Sequence, residues 1–190
     1  MKPAKELVMH MARFTLVLFL AAWAGLAAAG TSRLGASLGL AFPSGRLTDS
    51  GDSIGSKLLP APGLGLAGSF DPSDNLPKLS CEGSLEVNVF GSNDDKDLKV
   101  YYVPILFSGL WDIGAAAGLD MHVRAGVGGG FLSANSGSLR SLSGGAVSLG
   151  WRIGKELKGL SCALDAGLDL LFLNGGTQNM LRFKLLLFTR

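Results

Sequence analysis

Leu119-Asp120-Met121-His122-Val123-Arg124-Ala125-Gly126-Val127-Gly128 changes character at every residue. Leu119, Met121, Val123, Ala125 and Val127 fall on one side of the alternation. Asp120, His122, Arg124, Gly126 and Gly128 fall on the other. Successive side chains of a strand point to opposite faces, so period two with one apolar face specifies a sheet that is buried or lipid-facing on one side. A helix would scatter the same charges round its circumference.

The pattern recurs on both sides of this stretch. Leu160, Cys162, Leu164, Ala166, Leu168 and Leu170 oppose Ser161, Ala163, Asp165, Gly167 and Asp169. Leu79, Cys81, Gly83, Leu85, Val87 and Val89 oppose Ser80, Glu82, Ser84, Glu86 and Asn88. Arg33 to Phe42, Gly63 to Phe70, Val100 to Trp111, Gly144 to Ile153 and Asn179 to Phe188 bring the expected strands to eight. The segment from Val100 is apolar on both faces, and its Pro104 lacks a ladder donor. Pro43 to Pro62 and Ser133 to Ser143 read as long polar loops on one rim. Asp71 to Asn75 and Gly154 to Lys158 read as tight turns on the other.

Small and charged residues crowd the polar face: Gly, Ser and Ala beside Glu82, Glu86, Asp120, Arg124, Arg152, Asp165, Asp169, Arg182 and Lys184. A face turned to water would carry long side chains throughout, whereas small residues mixed with opposite charges suit a narrow lumen in which the charges pair. Segments of about ten residues also match the roughly 9–11 that cross a bilayer when tilted. The fold class expected is all-β: an eight-stranded antiparallel up-and-down transmembrane β-barrel with its apolar face outward. Phe42, Phe90, Tyr101, Phe131 and Phe172 then mark one interface, and Phe70, Trp111, Trp151 and Phe188 the other.

The N-terminus supports export. Lys2, Lys5 and Arg13 precede an apolar run from Phe14 that ends in Ala27-Ala28-Ala29, the layout of a cleaved secretory signal. Residues 1–29 are read as that signal and 30–190 as one barrel domain; Met11, abutting the run, is an alternative start to Met1. Taking Lys2, Lys5, Arg13 and Glu6 from the 17 basic and 15 acidic residues of the chain leaves 14 of each. A chain without net charge has no basic stripe to follow a phosphate backbone, which excludes nucleic acid as a partner.

Tyr102-Val103-Pro104-Ile105-Leu106, followed by Arg124-Ala125-Gly126-Val127-Gly128-Gly129-Gly130-Phe131, resembles a recurrent pair of neighbouring strands in the small eight-stranded outer-membrane β-barrel family of Gram-negative bacteria, the OmpA-like and OmpX-like barrels. The resemblance implies an outer-membrane location, contact with outer-membrane lipid, a monomer, and insertion by the assembly machinery that reads a C-terminal strand ending in an aromatic residue. Here Phe188 is followed by Thr189 and Arg190. Some such barrels are lipid-modifying hydrolases using Ser, His and an acid.

The constellations along the chain point to structure more than to chemistry. A hairpin about Asn174-Gly175-Gly176 sets Asp165 close to Lys184, with Arg182 diagonal to Asp165 and Asp169. These interior charges read as an ion-pair network filling a lumen that, at eight strands, side chains just fill. His122, beside Asp120 and Arg124 on the inward face, has no Ser in register, so no catalytic residue is assigned. Gly63-Leu64-Gly65-Leu66-Ala67-Gly68 has the GxGxxG spacing without the strand-to-helix setting of a dinucleotide site. Metal ligands are too few, and no cofactor is expected. Cys81 and Cys162 sit on strands on opposite sides of an eight-strand barrel, beyond the Cα separation of about 7 Å that a disulfide spans, and read as two lipid-facing free thiols. The function expected is a non-enzymatic outer-membrane barrel with a plugged lumen, acting in envelope integrity or surface interaction through its external loops. The alternatives are a lipid-A-modifying outer-membrane enzyme and a soluble periplasmic barrel holding an apolar ligand.

Overall fold

The computed structural model describes residues 32–44, 58–71, 78–93, 96–135, 142–173 and 176–189. The expected signal, residues 1–29, lies outside the described residues, as do most of the two long loops. Eight strands follow one another: β1 (Ser32–Ser44), β2 (Ala61–Phe70), β3 (Leu79–Phe90), β4 (Val100–Ala116), β5 (Leu119–Ala134), β6 (Leu142–Leu157), β7 (Leu160–Leu173) and β8 (Gly176–Thr189). Each pairs antiparallel with its neighbour, and β1 closes on β8 from Leu34↔Thr189 to Ser44↔Asn179. Closure leaves no strand edge unpaired.

Several strands outrun their sequence signal. β4 continues past Trp111 to Ala116 through a bulge between Asp112 and Gly114, where Gly114 has φ +114°. β6 continues through Gly154-Lys155-Glu156-Leu157, so the turn expected there is instead Lys158-Gly159. Backbone pairing carries these extensions after the alternation has faded. The β4–β5 turn is Ala117-Gly118, with φ values of 53° and 74°. Two left-handed residues in succession match the right-handed twist of a hairpin. Pro104 leaves its mark on the ladder: between Leu85↔Ile105 and Asn88↔Tyr102 the β3–β4 pairing is interrupted.

The wall is apolar outside. Leu64, Leu164, Trp151 and Val127 are more than 60% exposed, with Leu34, Leu38, Phe107, Leu149 and Phe183 also pointing outward. Inside, glycines let strands and side chains approach closely. A Cβ on Gly128 would strike the Ile105 carbonyl oxygen, and one on Gly167 would lie 2.7 Å from an Arg124 guanidinium nitrogen.

The interior is not polar throughout. Ala41, Ala61, Phe90, Val100, Tyr102, Leu106, Leu132, Ala146, Leu171 and Met180, joined by Leu58 and Leu98 from the connections, form a buried apolar cluster. Most of these residues stand at the strand ends nearest the long loops. This layer explains why the fourth segment is apolar on both faces: Val100, Tyr102 and Leu106 line the lumen, while Tyr101 and Phe107 face out.

Candidate functional site

Below the apolar layer the lumen carries charge. Glu82, Glu86, Asp165 and Asp169 face Arg124, Arg152, Arg182 and Lys184, and all eight side chains are buried. Four acids therefore meet four bases, and the layer has no net formal charge. Strand geometry produces the convergence. Glu82 and Glu86 alternate inward from β3, Asp165 and Asp169 from β7, and Arg182 and Lys184 from β8. Arg124 and Arg152 enter from β5 and β6.

Two groups of contacts span the lumen. Arg152 donates to both carboxylate oxygens of Glu82, from Nη1 at 2.7 Å and from Nη2 at 3.0 Å. It also donates to Asp165 Oδ2 from Nε at 3.2 Å and from Nη2 at 3.0 Å. Arg124 Nε adds a 3.2 Å ion pair to the same Asp165 oxygen. In the second group Arg182 Nη2 donates to Asp169 Oδ1 at 2.7 Å, and Arg182 Nη1 to Glu86 Oε2 at 3.2 Å. Lys184 Nζ lies 2.8 Å from the same Glu86 oxygen. Bidentate and shared pairing of this kind offsets the desolvation of buried charges.

The register sets Asp165 opposite Lys184, the juxtaposition expected from the hairpin. The Lys184 ammonium nevertheless makes its ion pair across the lumen with Glu86, and Asp165 takes Arg124 and Arg152. Arg182 serves Asp169 of its two diagonal carboxylates. Around the network, Asn88, Tyr102, Ser108, Ser148 and the Nη2 of Arg124 place buried polar atoms without a protein hydrogen-bond partner. Such atoms are ordinarily satisfied by ordered water.

Asp120 departs from the sequence expectation. It is exposed and stands apart from the ionic layer, in the wall of a cavity of about 490 Å³ at the tight-turn end of the barrel. This vestibule is also lined by Arg33, Asp112, His122, Glu156 and Phe188, and Arg152 forms part of its inner end. Arg33 Nη1 pairs with Glu156 Oε1 at 2.7 Å across it. His122 is in register with Asp112 on one side and Arg152 on the other, and Ser69, Ser80 and Ser161 line the same cavity from other strands. Among the described residues no group of His, Cys, Asp and Glu is placed to hold a metal ion. Gly63 to Gly68 lies wholly within strand β2, away from any strand-to-helix turn. Cys81 and Cys162 are free, on β3 and β7.

Two aromatic positions expected at the interfaces point inward. Phe90 belongs to the apolar layer and is fully buried. Phe188 is buried beside Ala67 and Leu186, with the Arg152 guanidinium 5.8 Å from its ring centre. Parity carried the signal: Phe90 falls in step with Glu82 and Glu86, and Phe188 with Arg182 and Lys184. Tyr101, Trp111, Trp151 and Phe172 do point outward and are exposed. Residues missed by sequence reasoning follow the same rule, since Asp112 shares the inward parity of Tyr102 and Leu106, and Arg33 that of Ser37.

No protein-family model and no curated protein matches the sequence. Solved structures do share the architecture. Neisserial surface protein A superposes with a TM-score of 0.54 at 10% identity, covering 82% of this chain and 95% of its own. A major outer membrane protein from Thermus thermophilus gives 0.54 at 13%, covering 83% and 99%. The attachment invasion locus protein Ail of Yersinia pestis, in complex with the heparin analogue sucrose octasulfate, gives 0.51 at 15%, covering 83% and 97%. With a closed eight-strand register and an apolar outer wall, the chain has the fold of the small eight-stranded outer-membrane β-barrels.

Proposed function

We propose that the chain is a non-enzymatic barrel of the bacterial outer membrane, with a plugged lumen and activity at its external loops, serving envelope integrity or surface interaction. The observation that carries this reading is the cross-section of the lumen, where four buried acids and four buried bases pair both between neighbouring strands and across the lumen, beneath a layer of apolar side chains. An ion crossing it would have to displace bidentate contacts and then enter an apolar constriction, both costly without water. An outward apolar wall needs lipid, since a soluble barrel so exposed would aggregate. With the lumen filled, activity is assigned to the chain segments joining β1 to β2 and β5 to β6, residues 45–57 and 136–141. Two of the solved structures with this architecture are described as surface or attachment proteins, which supports a surface role here.

The lumen is tested by conductance across a planar bilayer. Purified protein is expected to leave the bilayer closed, and stepwise openings would overturn the plug. Folding is followed by gel mobility before and after boiling, since a closed membrane barrel runs at a different position until heated. The surface role is tested by replacing residues 45–57 with a Gly-Ser linker of equal length. The variant should keep its heat-dependent mobility and its level in the membrane while losing binding of cells to a host-cell or matrix surface or tolerance of envelope stress. A variant indistinguishable in both assays would remove the loop from the function. Lipid A composition is expected to be identical in cells carrying wild type and His122→Asn; an altered profile would make the vestibule an enzyme site.

A further inference from the structure

The outer wall is not uniform. The register aligns Trp151 (β6), Ala166 (β7), Phe183 (β8), Leu40 (β1) and Pro62 (β2) in one row across five strands. The next row towards the tight-turn rim is Ile153, Leu164, Leu185 and Leu38. Ala166 is the smallest side chain of the two rows and stands between the rings of Trp151 and Phe183. The result is an apolar groove of about 570 Å³ on the outside of the barrel, lined by these residues. The row on the long-loop side has no such notch, since Leu149, Leu168, Leu181 and Phe42 are all large; on the tight-turn side the groove runs out into the row Lys155, Cys162, Leu187 and Ala36.

Strands of a barrel are tilted, so a row drawn across them also climbs the wall. Four inter-strand steps of about 4.8 Å give the groove a run of about 19 Å. One leaflet of a bilayer is about 15 Å of hydrocarbon, so a groove inclined to the membrane normal has the length of one acyl chain. At the β6 end, two residues beyond Ile153, the outward alternation places Lys155 on the tight-turn rim itself, exposed, beyond the groove's own lining and bordering the vestibule as well. A cation thus stands at the rim-side end of an apolar slot, the charge order of an anionic phospholipid with its phosphate at the interface and its chain in the hydrocarbon.

We infer that this groove is a binding site for an anionic phospholipid of the periplasmic leaflet: the phosphate pairs with Lys155, and one acyl chain lies over Ala166 between Trp151 and Phe183. The inference rests on the membrane reading above. Exposed side chains hold single annular lipids only transiently, whereas a notch walled by two aromatic rings and capped by a charge retains one.

The tryptophans make the site measurable. Trp151 forms one wall, and Trp111 stands two strands away in the same row, outside the groove. Proteins consisting of residues 30–190, whose tryptophans are Trp111 and Trp151, are prepared with Trp111→Phe or Trp151→Phe and reconstituted into phosphatidylcholine vesicles holding increasing fractions of phosphatidylglycerol brominated on its acyl chains. Quenching of Trp151 is expected to saturate well ahead of the bulk mole fraction, while Trp111 follows the mole fraction. Lys155→Gln should weaken the preference about fivefold, the worth of one Lys near an anionic headgroup. Ala166→Leu, which fills the notch, should abolish it while the heat-dependent gel shift persists. If Trp151 follows the mole fraction as Trp111 does, the site is overturned and the membrane reading stands. If neither is quenched by any brominated lipid, both fall. A wild type that is a dimer in detergent and becomes monomeric with Ala166→Leu would assign the groove to a second copy and overturn the lipid.

Discussion

Two levels of the lumen carry opposite chemistries. Towards the long loops, Phe90, Tyr102, Leu132, Leu171 and Met180 meet as an ordinary apolar core, in which the Tyr102 hydroxyl is buried without a protein hydrogen-bond partner. In the middle, Glu82, Glu86, Asp165 and Asp169 meet Arg124, Arg152, Arg182 and Lys184. The apolar layer tolerates loss of a contact in proportion to the volume removed, because dispersion and transfer terms are local. The ionic layer does not, because each charge is buried on the strength of its partners. The same barrel wall should therefore respond unequally to single substitutions at its two levels.

The largest effect is expected for Arg182→Met, which leaves Glu86 with Lys184 alone and Asp169 without its cation. Stability measured by urea titration of the folded band in vesicles should fall by about 3–5 kcal/mol. A loss under about 1 kcal/mol would break the comparison, since it would mean that the interior charges are well hydrated. Leu132→Ala in the apolar layer should cost less, about 2–4 kcal/mol, through the cavity it leaves, and the bilayer should stay closed because the ionic layer is intact. Gly167 lies between Asp165 and Asp169 on β7 and opposite Arg182, so Gly167→Ala tests the packing of the ionic layer itself. Its Cβ would sit 2.7 Å from Arg124 Nη2 and 2.9 Å from the Leu149 carbonyl oxygen, so about 1–3 kcal/mol of overpacking strain is expected in the same titration. The smallest effect belongs to Arg33→Ala at the vestibule. Its pair with Glu156 is partly exposed on both sides, and no more than about 1 kcal/mol should be lost, less in high salt. A cost at Arg33 equal to that at Arg182 would show the vestibule to be as dry as the network.

Much of this was legible in the sequence, because alternation along a strand is a local property. The inward positions of Glu82, Glu86, Arg124, Arg152, Asp165, Asp169, Arg182 and Lys184 follow from parity within their own segments. So does the outward position of Leu64, Val127 and Leu164. Parity, consistently applied, also turns Phe90 and Phe188 inward. Their reading as interface aromatics came from position near a strand end, a weaker signal than face. Asp120 shows the converse limit. Its parity is inward, yet it lies too near the turn at Ala117-Gly118 to reach the network and stands exposed at the mouth.

The sequence by itself determined the eight strands, their outward apolar face and the set of residues given to the lumen, because the two-residue period of an extended chain is fixed by backbone stereochemistry. Partner choice was decided by the tertiary structure. Glu82 meets Arg152 from a strand three places away round the wall, and Glu86 takes both Arg182 and Lys184. Lys184, opposite Asp165 in the hairpin, reaches instead across the lumen. The notch at Ala166 likewise exists only once the β6–β7 and β7–β8 registers set Trp151 and Phe183 on either side of it, and closure on β1 adds Leu40 and Leu38. Contacts across a closed barrel depend on strand stagger and tilt, which are properties of the whole circuit of hydrogen bonds, and no single segment of the chain encodes them.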